Sequence, residues 1–300
     1  MSEKANILFV DDEERVLRSL EMLFRHRFKI YTTTDGNEAV DICRRDRVHV
    51  IVSDQRMPAV TGVEVLRRVR EVSPNTMRLL LTGYSDLDAI VNSVNEGEIF
   101  RYLSKPWSAK EIVNIVNQAA GIALSLESEG GAAASGTAPG VLVIDEDPTV
   151  VEMVKAICGK ERQVSWSVDL DEAFETLAAS DIAVVVCDIR LRGRDISAAV
   201  KALKESNPMV LTIVQTQLQD VETLRGLINH GQIYRFLPKP ARRGLLEMSL
   251  DAASRRHVAM KAVPALSNRY QVEKNDAAPV AALSSRLQGF LDRMRQGKPL

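Results

Sequence analysis

Cysteine is scarce in this chain. The three present, Cys43, Cys158 and Cys187, show no metal-ligand spacing, which argues against a zinc-binding or disulfide scaffold. Cys187 sits in an apolar run and reads as a buried thiol, so a reducing cytoplasm is the expected compartment. Histidine is almost as rare. His26, His49, His230 and His257 are scattered and form no metal or catalytic cluster. No apolar run reaches the eighteen or so residues that a bilayer span needs. The opening Met-Ser-Glu-Lys leads into a short apolar run and then acids, unlike a signal peptide. An excess of either charge is also missing. With 39 basic and 40 acidic residues the formal net charge is −1, so no global field draws the chain to nucleic acid or to anionic membrane. What remains is the composition of a soluble protein with real cores, 45% hydrophobic and 26% charged, and 300 residues suit about two domains.

The chemistry-bearing residues occur twice in one register. Asp11, Asp54, Thr82 and Lys105 recur as Asp145, Asp188, Thr216 and Lys239 at a constant offset of 134 residues. The flanks match as well: Gly97-Glu-Ile-Phe-Arg-Tyr-Leu-Ser-Lys-Pro106 stands opposite Gly231-Gln-Ile-Tyr-Arg-Phe-Leu-Pro-Lys-Pro240. A repeat this long means two copies of one domain, not a solenoid of small units. Ile7–Val10, Val48–Ser53 and Leu79–Leu81 are short apolar runs, and helical spacing such as Val16, Leu17, Leu20, Leu23 and Phe24 lies between them. Alternating strands and helices imply a parallel sheet covered on both faces. Thr61 to Glu64 and Ser108 to Glu111 fit capping boxes. The expectation is five strands and five helices in residues 4–126. The domains would be 1–126 and 141–258, joined by a flexible Gly/Ala/Ser-rich linker at 127–140. Residues 259–300 would be a mobile segment, Pro264 to Pro279, plus an amphipathic helix carrying Val280, Leu283, Leu287, Phe290, Leu291 and Met294 on one face.

In an open parallel sheet, ligands bind where loops leave the carboxyl ends of the strands. Asp11 and Asp12 follow the first apolar run, Asp54 the third and Lys105 the fifth, while Thr82 ends the fourth. Three carboxylates at one rim repel one another unless a cation compensates them. Hard oxygen ligands that keep several waters suit Mg²⁺. A lysine and a hydroxyl complete a setting for the oxygens of a transferring phosphoryl group, with Asp54 as the nucleophile that would form an acyl phosphate.

This ordered set resembles the receiver domains of two-component response regulators, repeated in tandem over about 240 of 300 residues. The resemblance implies two flavodoxin-like, doubly wound (βα)5 domains. It implies phosphoryl transfer to Asp54 from a sensor histidine kinase or a phosphotransfer protein, with Asp188 the second candidate acceptor. Mg²⁺ would be held by Asp11, Asp12, Asp54 and the backbone carbonyl of Arg56, and in the second copy by Asp145, Glu146 and Asp188. Thr82 and Thr216 would turn toward the phosphoryl group, Lys105 and Lys239 would pair with it, and Tyr102 and Phe236 would be the aromatic switches. The Lys105–Pro106 bond is usually cis in the family. Phosphorylation would bias a face made by the fourth helix, fifth strand and fifth helix, which binds a downstream protein; a homodimer is compatible with this. The second copy departs at Leu191-Arg192 in place of Met57-Pro58, and at Ile196 in place of Gly62.

Blander readings stand beside these. A single aspartate after a strand often only caps a helix, and Thr82, Thr216 and Tyr102 could be ordinary core residues. Asp147, followed by Pro148, reads as an N-cap. Asp145-Glu-Asp147-Pro-Thr149 also matches the motif of haloacid-dehalogenase-type phosphatases, with Asp145 as nucleophile and Asp147 as general acid. The ungapped register with the first copy opposes that, since Glu13 stands opposite Asp147. About 40 residues follow the second copy, and neither a catalytic nor a DNA-binding module is recognisable there. The last helix is mildly basic through Arg286, Arg293, Arg295 and Lys298, which reads as a solvated face. The expectation is a signalling protein, not an enzyme, acting through phosphorylation-dependent protein contact, without nucleic acid or membrane.

Overall fold

A computed structural model describes residues 4–83, 91, 93–125, 139–217, 221–270 and 278–295. Residues 127–138 of the expected linker, most of the expected fourth helix of the first copy and residues 271–277 lie outside the described residues. The chain forms two compact units, each built on its own five-stranded parallel sheet.

The first sheet uses β1 (Asn6–Val10), β2 (Lys29–Thr33), β3 (Val50–Asp54), β4 (Met77–Thr82) and β5 (Arg101–Ser104) in the order β2-β1-β3-β4-β5. Its helices are α1 (Glu14–Phe24), α2 (Gly36–Arg45), α3 (Gly62–Val72) and α4 (Ala109–Ser125), and residues Ser93–Gly97 make a π-helical turn. Strand side chains alternate between the faces of a sheet. Ile7, Phe9, Val50, Val52, Leu79 and Leu81 therefore pack with Leu17, Leu20 and Phe24 of α1 and with Ile112, Val116 and Ala119 of α4. Leu8, Ile51 and Leu80, equally buried, face the other side. Each such side chain contributes roughly 1.5–3 kcal/mol by leaving water. The two expected caps form: Thr61 accepts the Glu64 amide at 3.3 Å and Ser108 accepts that of Glu111 at 3.1 Å.

The second sheet repeats the topology with β6 (Gly140–Ile144), β7 (Val164–Ser167), β8 (Ile182–Cys187), β11 (Leu211–Thr216) and β12 (Arg235–Pro238), in the order β12-β11-β8-β6-β7. Between β8 and β11, β9 (Arg190–Leu191) and β10 (Arg194–Asp195) form a small antiparallel hairpin. The helices are α5 (Pro148–Cys158), α6 (Leu170–Ala179), α7 (Ser197–Ser206), α8 (Val221–Gly231), α9 (Arg243–Ala262) and α10 (Ala278–Arg295).

The copies differ in how their second and third helices are covered. In the first, α2 packs on α3. Gly36 permits this, since a Cβ there would collide with Val60 and Val65, and Gly62 lets α3 begin against the Asp54 carbonyl, which a Cβ would strike. The second copy has Leu170 and Ile196 at those positions. There the C-terminal helix α10 packs against both α6 and α7, burying Val280 and Leu287. Ser284 donates to Glu205 at 2.8 Å, and Arg286 pairs with Asp171.

The expected mobile segment needs correction over its first half. Helix α9 runs on to Ala262, and Pro264–Tyr270 forms a 3-10 helix with Ala265, Arg269 and Tyr270 buried. Tyr270 explains the docking. Its ring lies 4.8 Å from the ammonium of the fully buried Lys204, and Arg256 donates to its hydroxyl at 3.0 Å. An apolar-periodicity reading misses such a segment because an aromatic ring, a buried lysine and a half-buried arginine hold it.

Candidate functional site

The fold brings the first set of residues to one rim. Asp11 follows β1 and is completely buried; Asp54 ends β3 and Thr82 ends β4, both also buried. Lys105 follows β5, where its amide donates to the Thr82 carbonyl at 2.8 Å. Its ammonium lies 2.8 Å from Asp11 Oδ2 and 2.5 Å from Asp54 Oδ1, and so bridges the two carboxylates. The other oxygens are held by the backbone: the Glu13 amide donates to Asp11 Oδ1 at 3.0 Å and the Arg56 amide to Asp54 Oδ2 at 2.8 Å. Desolvation pulls the Lys105 pKa down, but the hydrogen bonds to Asp11 and Asp54 outweigh it, so the ammonium is held above its ordinary value. Asp12 is adjacent and exposed. Tyr102 is buried, with its hydroxyl 3.4 Å from the Gly83 carbonyl.

The second set repeats this arrangement. Lys239 lies 2.7 Å from both Asp145 Oδ2 and Asp188 Oδ2. Amides of Asp147 and Arg190 donate to Asp145 and Asp188 at 2.9 and 3.0 Å. The same balance of burial and carboxylate hydrogen bonds raises the Lys239 pKa. Thr216 and Phe236 are buried at the equivalent positions, and Glu146 is exposed. An open cavity of about 660 Å³ lies over Asp188, lined also by Glu146, Arg190, Gly193 and Gln217. Both Lys–Pro bonds, Lys105–Pro106 and Lys239–Pro240, are cis.

The arrangement discriminates against the phosphatase motif. Asp147 caps α5, accepting from the Thr149 amide at 2.9 Å and the Thr149 hydroxyl at 2.7 Å. These bonds hold its pKa below the usual carboxylate value. A general acid must reach the leaving group with its proton, and here the Asp147 carboxylate is occupied as the cap of α5.

For a divalent cation the donor chemistry fits in part. Among the described residues, no three His, Cys, Asp or Glu side chains are gathered closely enough to share a metal ion. Two carboxylates per site do converge on one cationic point, which the lysine holds. Mg²⁺ is commonly bound by one or two carboxylates with water and phosphate oxygens completing its shell.

Two features near the second site escape the sequence reading. One is the β9–β10 hairpin, whose signal was Arg192-Gly193 between short strands. The other is Trp166, whose indole donates to the Asp145 carbonyl at 2.8 Å.

A family model for the response regulator receiver domain matches residues 7–117 and again residues 141–251. The chain belongs to this family and carries its domain twice, which places it in two-component phosphorelay signalling. Over 120 residues it is 41% identical to the hydrogenase transcriptional regulatory protein HoxA of Cupriavidus necator, covering 40% of this chain and 25% of that protein. Over 119 residues it is 29% identical to the sporulation initiation phosphotransferase F of Bacillus subtilis, covering 39% of this chain and 94% of that one. The chain thus spans about a quarter of the length of HoxA. A solved signal receiver domain of an HD domain-containing protein from Pseudomonas fluorescens Pf-5 is 32% identical with a TM-score of 0.42, covering 43% of this chain and 96% of that one. Among the described residues no helix is long and apolar enough to cross a membrane.

Proposed function

We propose that this chain is a cytoplasmic response regulator that accepts a phosphoryl group on Asp54, and on Asp188 as a second acceptor, and signals through phosphorylation-dependent protein contact. The observation that carries the reading is the lysine bridge between two buried carboxylates, made twice in one register. The donor would be a sensor histidine kinase or a phosphotransfer protein. An Asp54 oxygen forms the new P–O bond, the donor's P–N bond breaks, and the imidazole nitrogen keeps the electron pair. Lys105 then shares its charge with the phosphoryl oxygens, and the Thr82 hydroxyl donates to them. Lys239 and Thr216 do the same at Asp188. Asp11, Asp12, Asp54 and the Arg56 carbonyl would hold Mg²⁺, as would Asp145, Glu146 and Asp188. When bound, the ion offsets negative charge at the acceptor. Tyr102 and Phe236 are the side chains that would read the change of state. We assign the receivers to 1–126 and 141–258, the linker to 127–140, and the C-terminal extension to 259–300.

Intact mass after treatment with acetyl phosphate and Mg²⁺ tests this. Wild type should gain two phosphoryl groups, and Asp54→Ala and Asp188→Ala one each. A single group lost only with Asp54→Ala would remove Asp188 as an acceptor. No adduct, with free phosphate released in an Asp147-dependent way, would overturn the receiver function.

A further inference from the structure

The loop after the acceptor differs between the copies in charge and in shape. After Asp54 it reads Gln55-Arg-Met-Pro-Ala-Val60; after Asp188 it reads Ile189-Arg-Leu-Arg-Gly-Arg194. The second is the β9–β10 hairpin, with Leu191 opposite Arg194 and Arg190 opposite Asp195. Leu191 is buried and anchors it, whereas Arg190, Arg192 and Arg194 are all exposed. None of the three is ion-paired among the described residues, and Asp195 is engaged instead by the Ser197 amide at 2.7 Å. The turn places Arg192 at φ 50° and Gly193 at φ 72°. Glycine, asparagine or aspartate is the economical choice for such a turn, so an arginine at its first left-handed position is a strained choice that adds charge. Arg190 and Gly193 line the same cavity as Asp188 and Lys239, so whatever rests on the hairpin also stands over the acceptor.

We propose that this arginine hairpin is the docking surface of the second receiver for a phosphodonor protein with an acidic face. The inference rests on Asp188 being a phosphoacceptor. At the positions of Arg190, Arg192 and Arg194 the first receiver has Arg56, Pro58 and Val60, so its loop lacks the cations of Arg192 and Arg194 and the two receivers of one chain select donors of different surface chemistry. Arg190 lines the acceptor's cavity, and Arg192 and Arg194 stand exposed on the same hairpin, so the three guanidiniums steer an acidic face toward it. A protein fits better than a nucleic acid, because the occupant must present a phosphohistidine to Asp188, which lines the same opening.

The test uses the full chain and a fluorescein-labelled oligoglutamate peptide read by anisotropy. The comparison is Arg192→Asn/Arg194→Gln, in which asparagine suits the left-handed turn. Wild type should bind the peptide with an affinity that falls steeply with salt, and the double variant should lose about tenfold or more. The variant should still take a phosphoryl group on Asp188 from acetyl phosphate with Mg²⁺. A neutral peptide bound equally well, an unchanged affinity in the variant, or preferential binding of duplex DNA would each overturn the proposal. Absence of label on Asp188 in wild type would overturn the acceptor reading beneath it, and is distinguished from those outcomes because the peptide titration does not depend on label.

Discussion

At the residue scale the two site lysines and a third, buried lysine are opposite cases of one principle. Lys105 and Lys239 are partly desolvated yet held ionised by two carboxylates each. Removing one partner of such a cluster leaves uncompensated charge. Lys105→Ala should therefore destabilise the first receiver by about 3 kcal/mol and abolish label on Asp54, checked by urea melts and intact mass. The pH dependence has a definite sign. A lysine whose folded pKa is raised stabilises fully below its unfolded value near 10.5 and loses that contribution as pH climbs through the folded value. Lys204 is the reverse. It is buried and donates to the Pro208 and Val210 carbonyls at 3.0 and 2.6 Å, and among the described residues no carboxylate pairs with it. Desolvation lowers its pKa from 10.5 to about 7. Between those values the unfolded chain binds more protons than the folded one, so Lys204 should make stability rise with pH across that window. Lys204→Met should flatten the rise, as seen in urea midpoints from pH 7 to pH 9.

At the scale of elements, two glycines and one added helix set the receivers apart. Gly62 opens α3 directly against the Asp54 carbonyl. Gly62→Ala should cost about 1–3 kcal/mol through overpacking and slow labelling of Asp54, because the backbone of the acceptor itself must move. In the second receiver α10 supplies cover through Val280 and Leu287. Leu287→Ala should cost about 2–5 kcal/mol and lower the melting point of the second receiver. Its effect would be confined to that receiver if α10 belongs to its core, so a fall in Asp54 labelling would contradict the assignment. The amphipathic stripe of α10 was readable along the sequence. Its partner was not, because α6 and α7, on which it packs, lie about a hundred residues away in the chain.

At the scale of the molecule, each sheet has its own hydrophobic cluster and the two clusters share no residue. Sites that share no partner behave additively. Asp54→Ala should then leave the labelling rate of Asp188 by acetyl phosphate unchanged, which timed mass spectra of the variant would show.

The doubling, the sheet class and the identity of the acids, hydroxyls and lysines were legible in the sequence by itself. Short apolar runs, caps and a constant offset are properties of the chain in order, and backbone geometry turns them into strands that end at one rim. The tertiary structure alone decided the rest. The bridging lysines, the arginine hairpin over Asp188, the clasp of Tyr270 on Lys204 and the seat of α10 all depend on contacts or backbone angles that linear pattern does not specify. Their energies come from desolvation and close packing, which exist only once distant segments meet.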